Sequence, residues 1–134
     1  MFSTTDTIVA ISTPPGRGAL GVVRLSGPDA HKVASALITH RGELTPRYAT
    51  LTTIRSHEPA ADGVVDQVVV TYFPAPHSYS GDDVVELSGH GSPIVLRSIV
   101  RTALSAGASP KGVSSQAPAS FSRCPRSSSS FRFS

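Results

Sequence analysis

Ten residues, VVDQVVVTYF at 64–73, constrain the fold of this chain more than any other stretch. Five valines, a threonine, a tyrosine and a phenylalanine fill the run, and Gly63 and Pro74 bracket it. β-Branched and aromatic side chains suit a pleated, half-buried surface, so the run reads as a strand. A strand is not stable alone, so other segments must supply its neighbours.

Candidates are easy to find. The segments 7–11 (TIVAI), 21–26 (GVVRLS), 47–54 (RYATLTTI) and 83–88 (DVVELS) are short, β-branched and bounded by breakers. The stretch 12–18 (STPPGRG) reads as loop, Gly27-Pro28 stops the second strand, and 56–63 reads as a polar turn. Two segments carry helical spacing instead. In 28–40 the apolar residues are Ala30, Val33, Ala34, Leu37 and Ile38; after Ser92-Pro93 they are Leu96, Ile99, Val100, Ala103 and Leu104, with Gly107 ending the run. Ser92 is the expected N-cap of that second helix. The order ββαβββα predicts an α+β domain, a mixed β-sheet with two packed helices.

The change after Ala108 is abrupt. Residues 109–134 hold ten serines and no hydrophobic period, so a folded domain over 1–108 and a disordered Ser/Pro-rich tail are expected. The tail also carries four basic residues and no acid, whereas the body has eight basic and nine acidic ones. The net charge of +3 therefore belongs to the tail and gives the body no nucleic-acid-binding face. With 134 residues and 39% apolar content, the chain has room for one modest core. No run of 18 apolar residues suggests a membrane span, and no secretory signal is recognised. The single cysteine, Cys124, allows no internal disulfide, and a cytoplasmic location is the expectation.

Several motifs suggest chemistry only superficially. Gly16-Arg17-Gly18-Ala19-Leu20-Gly21 spells G-x-G-x-x-G, but it runs into a β-like segment where a dinucleotide site needs a helix. It reads as a flexible loop with one guanidinium. No G-x-x-x-x-G-K-[ST] occurs, so no P-loop route to GTP or ATP is expected. His77, Asp82, Asp83 and His90 match no standard metal spacing, and Ser88, His90 and Asp83 lack the context of a triad.

Two charges are more informative. Arg24 interrupts Val22-Val23-Arg24-Leu25, and Glu86 interrupts Val84-Val85-Glu86-Leu87. Alternation puts each on the face opposite its apolar neighbours. From alternation alone, a solvated face or an ion pair between the two is favoured over a ligand pocket. Gly89-His90-Gly91 then leads into the second helix, and ordinary helix entry accounts for it.

Two long blocks, DTIVAISTPPGRGALGVVRLSGPDA at 6–30 and YFPAPHSYSGDDVVELSGHGSPIVLRSIV at 72–100, closely resemble the N-terminal domain of the tRNA-modification GTPase family MnmE, also called TrmE. The resemblance runs from about residue 6 to Ala108 with a variable middle. It implies a fold like that of folate-binding aminomethyltransferase domains. It also implies a homodimer through this domain, and 5-formyltetrahydrofolate held as a one-carbon carrier. The family's partners are an MnmG-like flavoprotein and tRNA, whose wobble uridine is modified in the 5-carboxymethylaminomethyluridine pathway. The family's folate-contacting arginine and glutamate fall on Arg24 and Glu86, which raises the pocket reading for both. Arg17 and His90 are secondary candidates.

There are departures. Asp82 stands where the family has glutamate. The P-G-E-F segment with a further folate-contacting lysine is absent after Ala108, as are the GTPase domain and its GTP and potassium sites. The resemblance therefore implies a fragment with no catalytic residues of its own, broken by frameshift or truncation near Ala108. Some codons for Pro-Gly-Glu-Phe, read one base out, give Pro-Ala-Ser-Phe, the sequence at Pro118-Ala119-Ser120-Phe121. The alternative is a truncated product without independent activity. A stand-alone nucleic-acid binder acting through the basic tail is disfavoured by the acidic body.

Overall fold

A computed structural model describes residues 6–56 and 63–110. The expected tail beyond 110 lies outside the described residues. Among the described residues, six strands and two helices follow in the order β1 (Ile8–Ile11), β2 (Gly18–Ser26), α1 (Ala30–Leu37), β3 (Thr50–Arg55), β4 (Val64–Phe73), β5 (Val84–Gly91), α2 (Pro93–Ser105) and β6 (Ser109–Pro110). They form one mixed sheet in the spatial order β3-β4-β5-β2-β1-β6. All pairings are antiparallel except β1 with β6. This is the α+β arrangement expected, with the valine run as β4.

The differences have local causes. β2 begins at Gly18, inside the stretch read as loop, because Gly18 and Leu20 already pair with Gly91 and His90 across an irregular register. β5 likewise continues to Gly91, past the segment 83–88. Helix α1 is shorter than expected. Ile38, counted as helical by its spacing, instead bridges Ile54 of β3. The folded body runs two residues beyond Ala108: Ser109–Pro110 lies parallel to Ile8–Val9, with the Ser109 N–H donating to the Thr7 carbonyl at 2.7 Å.

The helix starts use backbone more than side-chain caps. Ser92 occupies the N-cap of α2 with extended backbone, and Pro93 sits in the first turn, but the Ser92 hydroxyl makes no capping bond. Asp29 opens α1 without a side-chain cap, and its own N–H donates to Thr7 Oγ1 at 2.8 Å. That bond ties the start of β1 to the start of α1.

The core lies on one side of the sheet. Val23, Leu25, Val85, Leu87, Val68, Val70 and Ile54 alternate inward from four strands. They meet Val33, Ala34 and Leu37 of α1 and Leu96, Ile99 and Ala103 of α2. Period-two alternation sends Val22, Arg24, Glu86, Ser88 and Val69 to the opposite face, where no described helix packs. Leu20, Leu51 and Val69 are exposed there. No described helix is long and apolar enough to cross a membrane.

Candidate functional site

The open face carries the two charges singled out in the sequence, and the register places them side by side. Arg24 of β2 is the direct cross-strand partner of Glu86 of β5, which in turn lies opposite Thr71 of β4. Arg24 Nε and Nη2 both donate to Glu86 Oε1, at 3.1 and 2.7 Å. Each side chain keeps about three-tenths of its surface, 30% and 29%. Both donors go to one oxygen, so this pair leaves Glu86 Oε2 and Arg24 Nη1 unused. The ion pair weighed from alternation is present, and it still has hydrogen-bonding capacity on an accessible face.

A third group completes this spot. The loop between β4 and β5 brings the Tyr79 ring over Arg24, with Cζ 5.0 Å from the ring centroid. The loop is braced from several sides. Ser80 and Ser26 hydroxyls lie 2.7 Å apart, the Ala75 N–H donates to Asp83 Oδ1 at 2.8 Å, and Ser78 bonds the Asp82 carbonyl. Tyr79 itself is 88% exposed. Periodicity does not mark it, because an aromatic in a polar loop has none to read; it falls within the 72–100 block that carries the resemblance, but no role was read for it there.

Arg17 and His90 are not gathered at this pair. Glu86 and His90 share a face of β5 but stand four residues apart, about 13 Å along the strand. Arg17 lies just before β2, at the His90 end of the sheet, in a hollow of about 240 Å³ lined by Thr13, Pro14, Pro15, Leu20 and Leu96. A second hollow, about 210 Å³, lies between Leu20, Leu51, Gln67, Val69, Ser88 and His90. Neither hollow includes Arg24 or Glu86. The shallow concavities and the paired charges are therefore separate features: the second hollow shares the open face, whereas the first lies at the end of the sheet against Leu96 of α2.

His90 has a partner that the sequence reading missed. Asp66 Oδ2 accepts the His90 N–H at 2.8 Å, and Oδ1 lies 2.7 Å from Nδ1. Asp66 was open to the same argument as Glu86, being an acid among the valines of a strand. Gly91 is needed for close approach, since a Cβ there would stand 2.2 Å from the Gly18 carbonyl oxygen.

The weaker constellations do not assemble. Among the described residues no group of three or more His, Cys, Asp or Glu is placed to hold a metal. Asp83 is at the opposite end of β5 from His90 and is committed to Ala75. Asp83 also acts on Tyr72. Burial first, then the nearby Asp83 charge and its hydrogen bond, raise the Tyr72 phenol above its ordinary value of 10.0.

Comparison with known proteins identifies the family. The family model described as "GTP-binding protein TrmE N-terminus" matches residues 7–122. The tRNA modification GTPase MnmE of Legionella pneumophila (strain Corby) is 47% identical over 103 residues, covering 77% of this chain and 22% of that protein. The Koribacter versatilis (strain Ellin345) protein of the same name is 49% identical over 107 residues, 76% of this chain and 23% of its own. That of Bordetella parapertussis is 52% identical over 101 residues, covering 75% and 21%. The chain spans about a fifth of the length of these relatives. By the extent of the family match and its agreement with the sheet and helices described above, this chain belongs to the TrmE N-terminal family.

Proposed function

We propose that this chain is a tetrahydrofolate-binding and dimerisation module of a cytoplasmic tRNA-modification GTPase. In it Glu86 reads the amino-pyrimidinone edge of 5-formyltetrahydrofolate and Arg24 holds polar ligand atoms. The observation that carries this reading is a carboxylate in the middle of an open sheet face with one oxygen unspent. An amino-pyrimidinone offers two parallel N–H donors, which a carboxylate accepts with both oxygens. Arg24 fills Oε1 with two bonds, and the longer one, from Nε at 3.1 Å, is the one to yield. An extended ligand anchored at Glu86 reaches His90 and Arg17 only by lying along β5. That gives those two residues a secondary role at the far end.

The dimer reading draws on Leu20, Leu51 and Val69, which leave apolar surface exposed on the same face. An MnmG-like flavoprotein and tRNA are the partners proposed for the intact protein. The same exposed apolar surface is also compatible with a second reading, a product with no independent activity.

Isothermal titration of the chain with 5-formyltetrahydrofolate separates these. Saturable binding that falls at least tenfold in Glu86→Ala supports the first reading. A cooperative melt with no binding supports the second. Equal affinity in wild type and Glu86→Ala removes the role assigned to Glu86. Sedimentation of the same sample reads the dimer.

A further inference from the structure

We propose that Tyr79 is the stacking platform for the planar heterocycle that Glu86 hydrogen-bonds, an inference that rests on the ligand reading above. A carboxylate edge orients a ring within its plane but offers nothing to its faces. An aromatic wall beside it supplies that missing contact, and Tyr79 is placed for this. Its ring reaches the Arg24–Glu86 pair from the loop between β4 and β5, where it is engaged by the Arg24 guanidinium.

Three observations make this more than a surface contact. First, Tyr79 keeps 88% of its surface, so its position leaves room for a ring against it. Second, its immediate neighbour Ser80 is tied to Ser26, two residues beyond Arg24 on β2. The loop is thus fixed to the strand that carries the charge, and the Arg24 guanidinium meets the ring there. Third, a guanidinium and a heteroaromatic ring compete for the same kind of face, because both are flat and stack on tyrosine. Glu86 reads the ring only when Arg24 releases one of its two bonds to Oε1. The same movement frees the Tyr79 face, so Arg24 acts as a stand-in that the ligand displaces.

The test uses the full chain, 5-formyltetrahydrofolate as the probe, and four variants. Tyr79→Phe keeps the face and is expected to bind within about twofold of wild type. Tyr79→Leu keeps apolar bulk without the ring face and is expected to bind about tenfold more weakly, the range of an aromatic stacking contact. Tyr79→Ala is expected to lose at least as much. Glu86→Gln is the control on the underlying reading. The chain has no tryptophan and three tyrosines, so a 13C-tyrosine-labelled sample gives a simple NMR spectrum. Ring-current shifts on Tyr79 that grow with ligand, against unmoved Tyr48 signals, support the stack. Wild-type affinity in Tyr79→Leu, or equal losses in Tyr79→Phe and Tyr79→Ala, overturns it while leaving Glu86 as the anchor. If Glu86→Gln binds as tightly as wild type, Glu86 is not the anchor and the stack beside it falls too; if the wild-type chain does not bind, the ligand reading itself falls. Amide exchange of the Ala75 N–H, which is held by Asp83 in the same loop, shows whether each variant keeps the loop in place.

Discussion

Asp66 holds His90 at two points, taking the backbone N–H with one carboxylate oxygen and facing ring Nδ1 with the other. A carboxylate accepts, so the ring proton sits on Nδ1 and Nε2 faces outward. The two contacts differ in value. The His90 side chain is 75% exposed, whereas that of Asp66 is only 9% exposed. The ring contact is therefore a surface pair worth at most about 1 kcal/mol. The backbone contact is a hydrogen bond to a charged group, worth roughly 1.5–3 kcal/mol. Asp66→Ala should destabilise the domain by about 2 kcal/mol and His90→Ala by under about 1 kcal/mol, read by urea denaturation. Equal losses would mean that the ring carries the interaction.

Gly89 is the residue that lets Asp66 lie across β5. A Cβ there would stand 2.6 Å from Asp66 Oδ2 and 3.0 Å from Val68 Cγ1. Gly89→Ala is expected to cost about 1–3 kcal/mol through overpacking. Removing the carboxylate relieves the closer contact, so the double variant with Asp66→Ala should cost less than the sum of the two. Strict additivity in the denaturation cycle would contradict that account.

The Arg24–Glu86 pair should contribute little to folding. Both partners are accessible to solvent and to salt, which places the pair at about 0–1 kcal/mol. A double-mutant cycle with Arg24→Ala and Glu86→Ala should return a coupling energy in that range, shrinking as salt is added. A much larger coupling would make the pair structural and weaken its assignment to a ligand.

Tyr72 gives the domain an alkaline weakness. Its phenol is raised above 10.0 in the folded state, so the folded protein holds that proton more tightly than the unfolded chain. The stabilisation is complete below pH 10.0 and is lost as pH rises from there through the folded value. In an absorbance titration, Tyr72→Phe should remove a late-ionising component. The same variant should flatten the fall in stability above about pH 10. An unchanged titration curve would show that Tyr72 is not the residue held protonated.

At the centre of the core, Leu87 is fully buried with Val23 and Val70 as its cross-strand partners. Leu87→Ala should cost about 2–5 kcal/mol by calorimetry or denaturant, with a value near the upper end if the site cannot collapse. A loss under about 1 kcal/mol would place Leu87 outside the core.

What was legible in the sequence follows from what periodicity encodes. The valine run of β4 and the apolar stripe of α2 are strong local signals, and both elements are where they were expected. Alternation also tells which face Arg24 and Glu86 occupy. It does not tell which residue lies across the strand, because register is a property of two segments at once. The Arg24–Glu86 pairing was therefore one option among several, and Asp66 was passed over although it interrupts a strand as Glu86 does. Boundaries failed where a residue's role was tertiary: Ile38 fits the helical stripe of α1 but bridges β3, and Gly18 reads as a breaker but pairs with Gly91. Tyr79 has no periodicity to read; it lies within the 72–100 block that carries the resemblance, but its place beside Arg24 comes only from the loop that delivers it there.

The parallel contact of Ser109–Pro110 with Ile8–Val9 has a consequence for the order in which the domain is made. β1 leaves the ribosome about a hundred residues before β6, so one of its two edges stays unpaired until residue 110 has been added. Closing that edge joins residues about a hundred positions apart, a contact whose entropic cost falls late in folding. During synthesis β1 thus offers an unpaired ladder to any other strand nearby, another nascent copy included. The last two strand residues act as a clasp, and the interval before they emerge is when the chain is most exposed to mispairing.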